Sequence, residues 1–121
     1  MTSFAVLIEG QVLQGQSFVS ALRFMQQAVA AGHVINSVFL YRDAVGAASA
    51  LIDLPSDEPN LSVKLQQFCQ AHQIPLLFCI TAAEKRGVCS NEVKPADGYI
   101  AAGLAEFAMR LAKVDKLVQF S

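Results

Sequence analysis

The hydrophobic positions of this chain follow two alternating patterns. Short continuous apolar runs, which are typical of buried strands, occur at residues 3–9, 33–41, 75–80 and 115–120. Apolar residues spaced as on one face of a helix occur over residues 17–31, 61–72 and 104–111, and an alanine-rich stretch at 44–52 is a further helix candidate. This alternation predicts an α/β sandwich with a largely parallel sheet, in which functional groups gather at the carboxyl ends of the strands.

The helical patterns also predict which side chains enter the core. The first helix presents Phe18, Ala21, Leu22, Met25, Ala28 and Val29, and Gly32 stops it. The second presents Leu61, Leu65, Phe68, Cys69 and His72, and the last presents Leu104, Phe107, Ala108 and Leu111. Cys69 is therefore expected on a core face.

Segments of loop composition separate these elements. Pro55 is expected to end the alanine-rich helix, and residues 56–60 form a loop. Asp57 and Glu58 in that loop are expected to cap the next helix, or to line a cleft. Residues 94–100 are predicted to be another loop.

Composition favours one domain that associates with other chains. With 121 residues, the chain fits a single domain spanning residues 1–121. Hydrophobic residues make up 54% and charged residues 16%, which is more apolar surface than a monomer of this size usually hides, so oligomerisation is expected. The net charge of -1 and the absence of a cationic run argue against direct binding of nucleic acid.

The first apolar run and the cysteine spacing indicate the compartment. Residues 4–8 are too few to span a membrane, have no basic residue before them and are followed by Glu9, so we expect a cytoplasmic protein with no membrane partner. Cys69, Cys79 and Cys89 show no C-x-x-C spacing and are odd in number, so they are expected to be free thiols. No spacing predicts a metal site, and no cofactor is expected.

Three other motifs favour structural roles. Residues 10–17 resemble a phosphate-binding loop, but Gln16 replaces the lysine that such loops require, so a strand-to-helix turn is predicted. His33 follows the glycine that stops the first helix, and His72 lies on the apolar face of the second helix or at its end, so a structural role suffices for both. Residues 41–43, Tyr-Arg-Asp, end a strand at the functional edge, although a surface ion pair explains them equally well.

Cys79 is the residue with the clearest chemical potential. It ends an apolar strand and precedes a short helix-forming segment that contains Lys85 and Arg86 and stops at Gly87. The free N–H groups of a helix start and nearby cations favour a thiolate, which is the reactive form. The alternative is that Cys79 only packs as a small hydrophobic residue. Cys89 could approach it as a resolving thiol, but a semi-buried loop thiol is the simpler interpretation.

Residues 79–87, CITAAEKRG, resemble the C-V-A-A-A-x-R-R-G segment of the DsrE/TusD sulfurtransferase family, with the cysteine and the Arg-Gly pair in register. Residues 39–43 are similar to the family's F-F-Y-R-E/D strand end, residues 56–58 to its S-D-E loop and residues 117–120 to its closing V-V-Q-F strand. The resemblance therefore extends in one order over nearly the whole chain. The chain departs from the pattern at Ile80, Thr81, Glu84 and Cys89.

The resemblance implies a three-layer α/β/α sandwich, a sulfur-relay role and assembly with related DsrE-like subunits into a homo- or hetero-hexamer. It implies that Cys79 holds a persulfide, taken from a sulfur-donor protein and passed to a cysteine of an acceptor protein, for tRNA 2-thiouridine formation or for sulfur oxidation. Lys85 and Arg86 are the cations expected to favour its thiolate. Two alternatives stay open: a non-catalytic assembly subunit, and a redox-sensing protein that uses Cys79 and Cys89.

Overall fold

A five-stranded parallel sheet forms the centre of the part of the chain that the structure describes. The structure is a computed structural model and describes residues 1–52, 54 and 58–121. The strands are β1 (Ser3–Ile8), β2 (Val34–Leu40), β3 (Leu76–Cys79), β4 (Ile100–Ala102) and β5 (Lys116–Phe120). The helices are α1 (Ser17–Ala30), α2 (Leu61–Ala71), α3 (Ile80–Lys85) and α4 (Leu104–Leu111), with a 3₁₀ helix at Arg42–Ala48.

The strand order is β4-β3-β2-β1-β5, and every neighbouring pair is parallel. The chain therefore builds outward from β1 to β4 and then returns to the opposite edge with β5. This order places the carboxyl ends of β2, β3 and β4 side by side, where an open parallel sheet binds its ligands.

Helices cover both faces of the sheet. Phe24 of α1 makes an edge contact with Phe4 of β1, with ring centroids 5.2 Å apart. Phe107 of α4 stacks on Phe39 of β2 at 4.6 Å. Phe39 pairs in register with Leu7, so the two side chains lie on the same face of the sheet. Leu7 and Phe4 lie on opposite faces, because side chains alternate along a strand. The two helices therefore lie on opposite faces, and α2 contacts α1. This arrangement confirms the three-layer α/β/α sandwich.

Most predicted core positions are buried. On α1 the residues Phe18, Ala21, Leu22, Met25 and Ala28 are buried, and Val29 is partly buried. Cys69 of α2 is 2% exposed, so its placement in the core is confirmed. The apolar face of α4 is different, because only Phe107 is fully buried and Leu104 is 50% exposed. Half of that predicted face thus has no cover within the described residues.

Two element predictions are wrong. The alanine-rich stretch forms the short 3₁₀ helix and not an α-helix over 44–52, because the chain is extended at Ser49, which bridges Pro95. That tertiary pairing overrides the helical preference of alanine. The predicted loop at 94–100 ends one residue too late, since Ile100 already begins β4, whose three residues are too few to show a strand pattern.

The caps of α2 also differ from the prediction. Asn60, and not an acidic residue, caps the helix: its side chain accepts a hydrogen bond from the Val63 N–H at 3.2 Å. Glu58 is exposed and lines a cavity beside Pro59 and Leu61, which agrees with the alternative of a cleft. Pro55, Ser56 and Asp57 lie outside the described residues.

The two histidines occupy structural positions. The Nδ1 atom of His33 accepts a hydrogen bond from the Thr2 N–H at 3.0 Å, which holds the start of β1 beside the start of β2. His72 follows α2 and is exposed, with its ring 4.6 Å from that of Phe68. It therefore lies at the helix end and not on the core face.

The glycine-rich turn before α1 serves close packing. A Cβ atom on Gly10 would lie 2.1 Å from the hydroxyl of Ser17, so only glycine allows the turn to approach the first residue of α1 so closely. None of the described helices combines the length and apolar character that a membrane crossing requires.

Candidate active site at the carboxyl edge of the sheet

A cavity of about 450 Å³ opens at the carboxyl ends of β2, β3 and β4. Its walls come from the residues that follow these strands. They are Tyr41, Arg42, Cys79, Thr81, Ala82, Lys85, Arg86 and Leu104. The cavity therefore contains Cys79, Lys85 and Arg86, which the sequence proposed as site residues, and also Tyr41 and Arg42 of the segment that the sequence placed at the functional edge.

Cys79 is the last residue of β3 and directly precedes α3. Its four-residue strand is buried throughout, and the sequence Ile-Thr-Ala-Ala-Glu-Lys then continues as a helix. The Cys79 backbone is extended (φ -69°, ψ 114°), and its side chain makes no capping hydrogen bond to the helix. Cys79 is only 4% exposed, so a reactant reaches the thiol through the cavity.

Lys85 and Arg86 end α3 on the cavity side. The Arg86 Nε lies 3.2 Å from Asp43 Oδ1, and its Nη1 donates to the carbonyl of Ala82 at 3.3 Å. Lys85 is exposed, and within the described ranges no carboxylate lies within 4.0 Å of its ammonium group. The structure thus brings both cations to the cavity of Cys79. Asp43 offsets part of the charge of Arg86, whereas the charge of Lys85 is available to a ligand.

Arg42 is a cavity residue that the sequence did not identify as a site residue. Its φ of 53° lies in the left-handed region, which is uncommon for a residue other than glycine. Its Nε lies 3.2 Å from Glu9 Oε2, and its guanidinium lies over the Tyr41 ring at 5.8 Å. Glu9 also accepts a hydrogen bond from Gln119 of β5. The ion pair expected for the Tyr-Arg-Asp segment therefore exists, and it borders the site.

Tyr41 also faces the cavity. Its backbone N–H donates to the carbonyl of Ile8 at 3.0 Å, and its ring stacks on that of Phe39 with centroids 6.2 Å apart. The sequence signal for Tyr41 and Arg42 was their position at the end of a strand. The sequence does not give the strand order, and it is the adjacency of β2 and β3 that places them beside Cys79.

The cavity has a cationic lining. Arg42, Lys85 and Arg86 carry positive charge, and no carboxylate is among the described residues that line it. The whole chain has a net charge of -1, so this concentration of positive charge is local. Such a lining attracts anions.

The other two cysteines lie outside the Cys79 cavity. Burial raises the pKa of Cys69 to about 12, and this thiol borders a separate cavity at the amino end of β3, beside Pro75 and Leu76. Cys89 is 5% exposed, and burial, followed by the charge of Glu84, raises its pKa. Cys89 is thus more deeply buried than the semi-buried loop thiol that we expected, and it does not line the Cys79 cavity.

All three thiols are free. Within residues 1–52, 54 and 58–121, no group of three His, Cys, Asp or Glu side chains could hold a metal ion. The residues that line the Cys79 cavity supply a thiol beside cations.

Comparison with known proteins identifies close relatives along the whole chain. The DsrE/DsrF-like family matches residues 3–120. A protein from Pectobacterium atrosepticum named sulfurtransferase TusD is 34% identical over 131 aligned residues, which cover 99% of this chain and 100% of the relative. A sulfurtransferase TusD homolog from Vibrio parahaemolyticus is 32% identical and covers 98% of this chain and 97% of its own.

Solved structures share the same fold. The crystal structure of the ychN protein from E. coli superposes with a TM-score of 0.83 at 22% identity, covering 99% of this chain and 100% of the other. A protein of unknown function from Methanobacterium thermoautotrophicum gives a TM-score of 0.67 at 12% identity, with coverage of 98% and 99%.

Proposed function

Because this chain belongs to the DsrE/DsrF-like family, we propose that it is a sulfurtransferase subunit that carries sulfur as a persulfide on Cys79. The observation that carries the proposal is the position of Cys79 at the end of β3, in a cavity whose ionisable neighbours include three cations. A thiol in such surroundings is favoured as the nucleophilic thiolate. The relatives named sulfurtransferase support the same chemistry.

The reaction consists of two thiol-exchange steps. In the first, the Cys79 thiolate attacks the outer sulfur of a donor persulfide, R–S–SH. A bond forms between Cys79 and that sulfur, the S–S bond of the donor breaks, and the donor leaves as R–S⁻ with the electron pair. In the second, an acceptor cysteine thiolate attacks the outer sulfur of Cys79–S–SH, and Cys79 leaves as the thiolate. The two steps together need no oxidant and no reductant.

The surroundings of each thiol support Cys79 as the carrier. Cys69 and Cys89 are buried and their pKa values are raised, so the thiolate fraction of each side chain is small at neutral pH. Cys79 instead borders the large cavity at the edge where parallel sheets bind ligands. Lys85 and Arg86 are proposed to favour its thiolate, with Lys85 contributing more because Asp43 shares the charge of Arg86.

The proposal includes partners and a compartment. The partners are related DsrE-like subunits, in a homo- or hetero-hexamer, and donor and acceptor proteins with reactive cysteines. The exposed apolar residues of α4 support association, since Leu104 is 50% and Met109 72% exposed. Free thiols fit the reducing cytoplasm. The proposed transfer serves either tRNA 2-thiouridine formation or sulfur oxidation.

Intact-mass measurement after exposure to a sulfur donor tests the proposal. The wild-type chain should gain one sulfur atom, peptide mapping should place it on Cys79, and Cys79→Ser should gain none. Cys89→Ser is the matched control and should load like the wild type. An assembly subunit without chemistry would gain no sulfur, and a Cys79–Cys89 redox pair would instead lose two hydrogen atoms.

A further inference from the structure

We propose that the Cys79 cavity selects its sulfur compound by negative charge, with Lys85 and Arg42 binding an anionic group next to the sulfur that Cys79 accepts. This inference rests on the proposed function and names the substrate class of the same site. The shared chemistry is a sulfane sulfur attached to, or close to, an anion. It is present in small compounds such as thiosulfate and in a protein persulfide that has an acidic side chain beside it.

The distribution of charge is the first argument. Arg42, Lys85 and Arg86 line the cavity, and the carboxylates that pair with Arg42 and Arg86, Glu9 and Asp43, are not among its lining residues. Asp43 and the Ala82 carbonyl already engage Arg86. Lys85 has no carboxylate within 4.0 Å in the described part of the chain, so its charge is available for a ligand.

The second argument is the backbone of Arg42. Arg42 adopts a left-handed backbone conformation, which is strained for a residue with a Cβ atom. The contacts of the side chain with Glu9 and with the Tyr41 ring hold it in place. The side chain is nevertheless 69% exposed, and only its Nε faces Glu9. Arg42 is therefore fixed at the cavity with N–H donors left over for an anion.

The third argument is the depth of the thiol. Cys79 is 4% exposed, whereas Arg42 and Lys85 are exposed, so the thiol lies deep and the cations lie at the entrance. A cavity of about 450 Å³ is within the range of small-molecule sites. A sulfur group that enters this cavity reaches Cys79, and the anionic part of the same molecule meets the cationic walls that Arg42 and Lys85 contribute.

The chemistry gives these cations a second use. When the Cys79 thiolate attacks the sulfane sulfur of thiosulfate, a Cys79–S bond forms, the S–S bond breaks, and sulfite leaves with the electron pair. With a persulfide donor, R–S⁻ leaves in the same way. Negative charge therefore moves from the buried Cys79 sulfur toward the leaving group, and cations at the entrance stabilise that movement.

Two alkylating reagents test the charge selection without sulfur transfer. Iodoacetate and iodoacetamide both react with a thiolate and release iodide, but only iodoacetate carries a carboxylate. The quantity to measure is the rate of Cys79 alkylation by iodoacetate divided by the rate by iodoacetamide. This ratio is then divided by the same ratio for free cysteine at the same pH and salt concentration. Mapping by mass spectrometry separates Cys79 from the buried thiols.

We expect this normalised ratio to exceed one in the wild type and to fall about two- to five-fold in Lys85→Gln and in Arg42→Gln, the range for exposed charge pairs. Arg42→Gly should lower it equally while removing the backbone strain, which excludes misfolding as the cause. Lys64→Gln, an exposed lysine on α2, should leave it unchanged. Added salt should reduce the wild-type ratio. Equal ratios in the wild type, Lys85→Gln and Arg42→Gln would overturn the inference.

Sulfur loading then separates the two sources of the anion. Loading of Cys79 from thiosulfate that weakens in Lys85→Gln identifies a small anion. Loading only from serum albumin carrying a persulfide, with the same dependence on Lys85, identifies an acidic group on a protein. Charge-selective alkylation without loading from either donor would overturn the proposed function and leave the anion site standing. Loading without any charge selection would overturn the anion site alone.

Discussion

Arg86 forms an ion pair with Asp43, with Nε and Oδ1 3.2 Å apart, and this contact ties the end of α3 to the 3₁₀ helix beside the Cys79 cavity. The two side chains are 38% and 54% exposed, so water screens the pair and its contribution to stability is small. The pair matters because it makes the charges of Arg86 and Lys85 unequally available to a ligand. Asp43 offsets the charge of Arg86, whereas Lys85 faces the cavity without a carboxylate partner among the described residues.

The first prediction concerns the reactivity of Cys79. Lys85→Gln should slow its alkylation by iodoacetamide at neutral pH, because removing a nearby cation lowers the thiolate fraction. Arg86→Gln should slow it less, because the Arg86 guanidinium is already engaged by Asp43 and by the Ala82 carbonyl. The double variant should be slowest, and added salt should narrow every difference. Rates measured from mildly acidic to basic pH check this, with Lys64→Gln as the control. Identical rate profiles for the double variant and the wild type would contradict a role for either cation.

The second prediction concerns Cys69. This residue is 2% exposed among the apolar residues between α2 and β3, so Cys69→Ala should reduce the free energy of unfolding by about 1 kcal/mol through lost packing. Sulfur loading of Cys79 should be unchanged. Urea unfolding and intact-mass measurement on the same sample check both expectations. Loss of loading with unchanged stability would show that Cys69 acts in the chemistry and not in the core.

The third prediction concerns the start of β5. The Asp115 carboxylate accepts a hydrogen bond from the Ser3 N–H at 2.9 Å and from the Ser3 hydroxyl at 3.2 Å, and these bonds hold the pKa of Asp115 below its ordinary value. The folded pKa is lower than the unfolded pKa. The stabilisation is therefore present above the ordinary pKa of about 4 and disappears as the pH falls through the lower, folded value.

Asp115→Asn should accordingly lower stability at neutral pH, and its difference from the wild type should shrink in acid. Urea unfolding at a series of pH values checks this. Asp97→Asn is the control, since within the described residues the Asp97 side chain makes no hydrogen bond. A difference between Asp115→Asn and the wild type that stays constant down to acid pH would show that the carboxylate charge is not what stabilises the contact.

Sequence patterns predicted the layers of this fold, because burying apolar runs and helical faces leaves few arrangements for alternating strands and helices. They also indicated Cys79, whose position at a strand end is visible in the residues themselves. They could not place Arg42 and Tyr41 beside it, because that neighbourhood depends on the order of β2 and β3 in the sheet. The left-handed backbone of Arg42 has no sequence signal either, since arginine rarely adopts it.

The short elements were hard to predict for a related reason. β4 has three residues, of which only Ala102 is buried, so it shows no alternation. The 3₁₀ helix ends where Ser49 bridges Pro95, a residue far along the chain. In both cases a distant contact decides the local structure, and a local pattern cannot contain it.

The last prediction concerns assembly. Leu104 lines the Cys79 cavity, is 50% exposed and begins α4, which also presents Met109 at 72% exposure. Apolar side chains exposed in this way favour association, and a chain with 54% hydrophobic residues has apolar surface to bury. We therefore expect light scattering at micromolar concentration to show an oligomer, and Leu104→Gln with Met109→Gln to reduce its mass. Val63→Gln, which changes an exposed apolar residue on α2, is the matched control and should leave the mass unchanged.

If α4 lies at a subunit boundary, the double variant should also alter access to Cys79, because Leu104 belongs to both surfaces. A monomeric wild type that still loads and transfers sulfur would show that assembly is not needed for the chemistry.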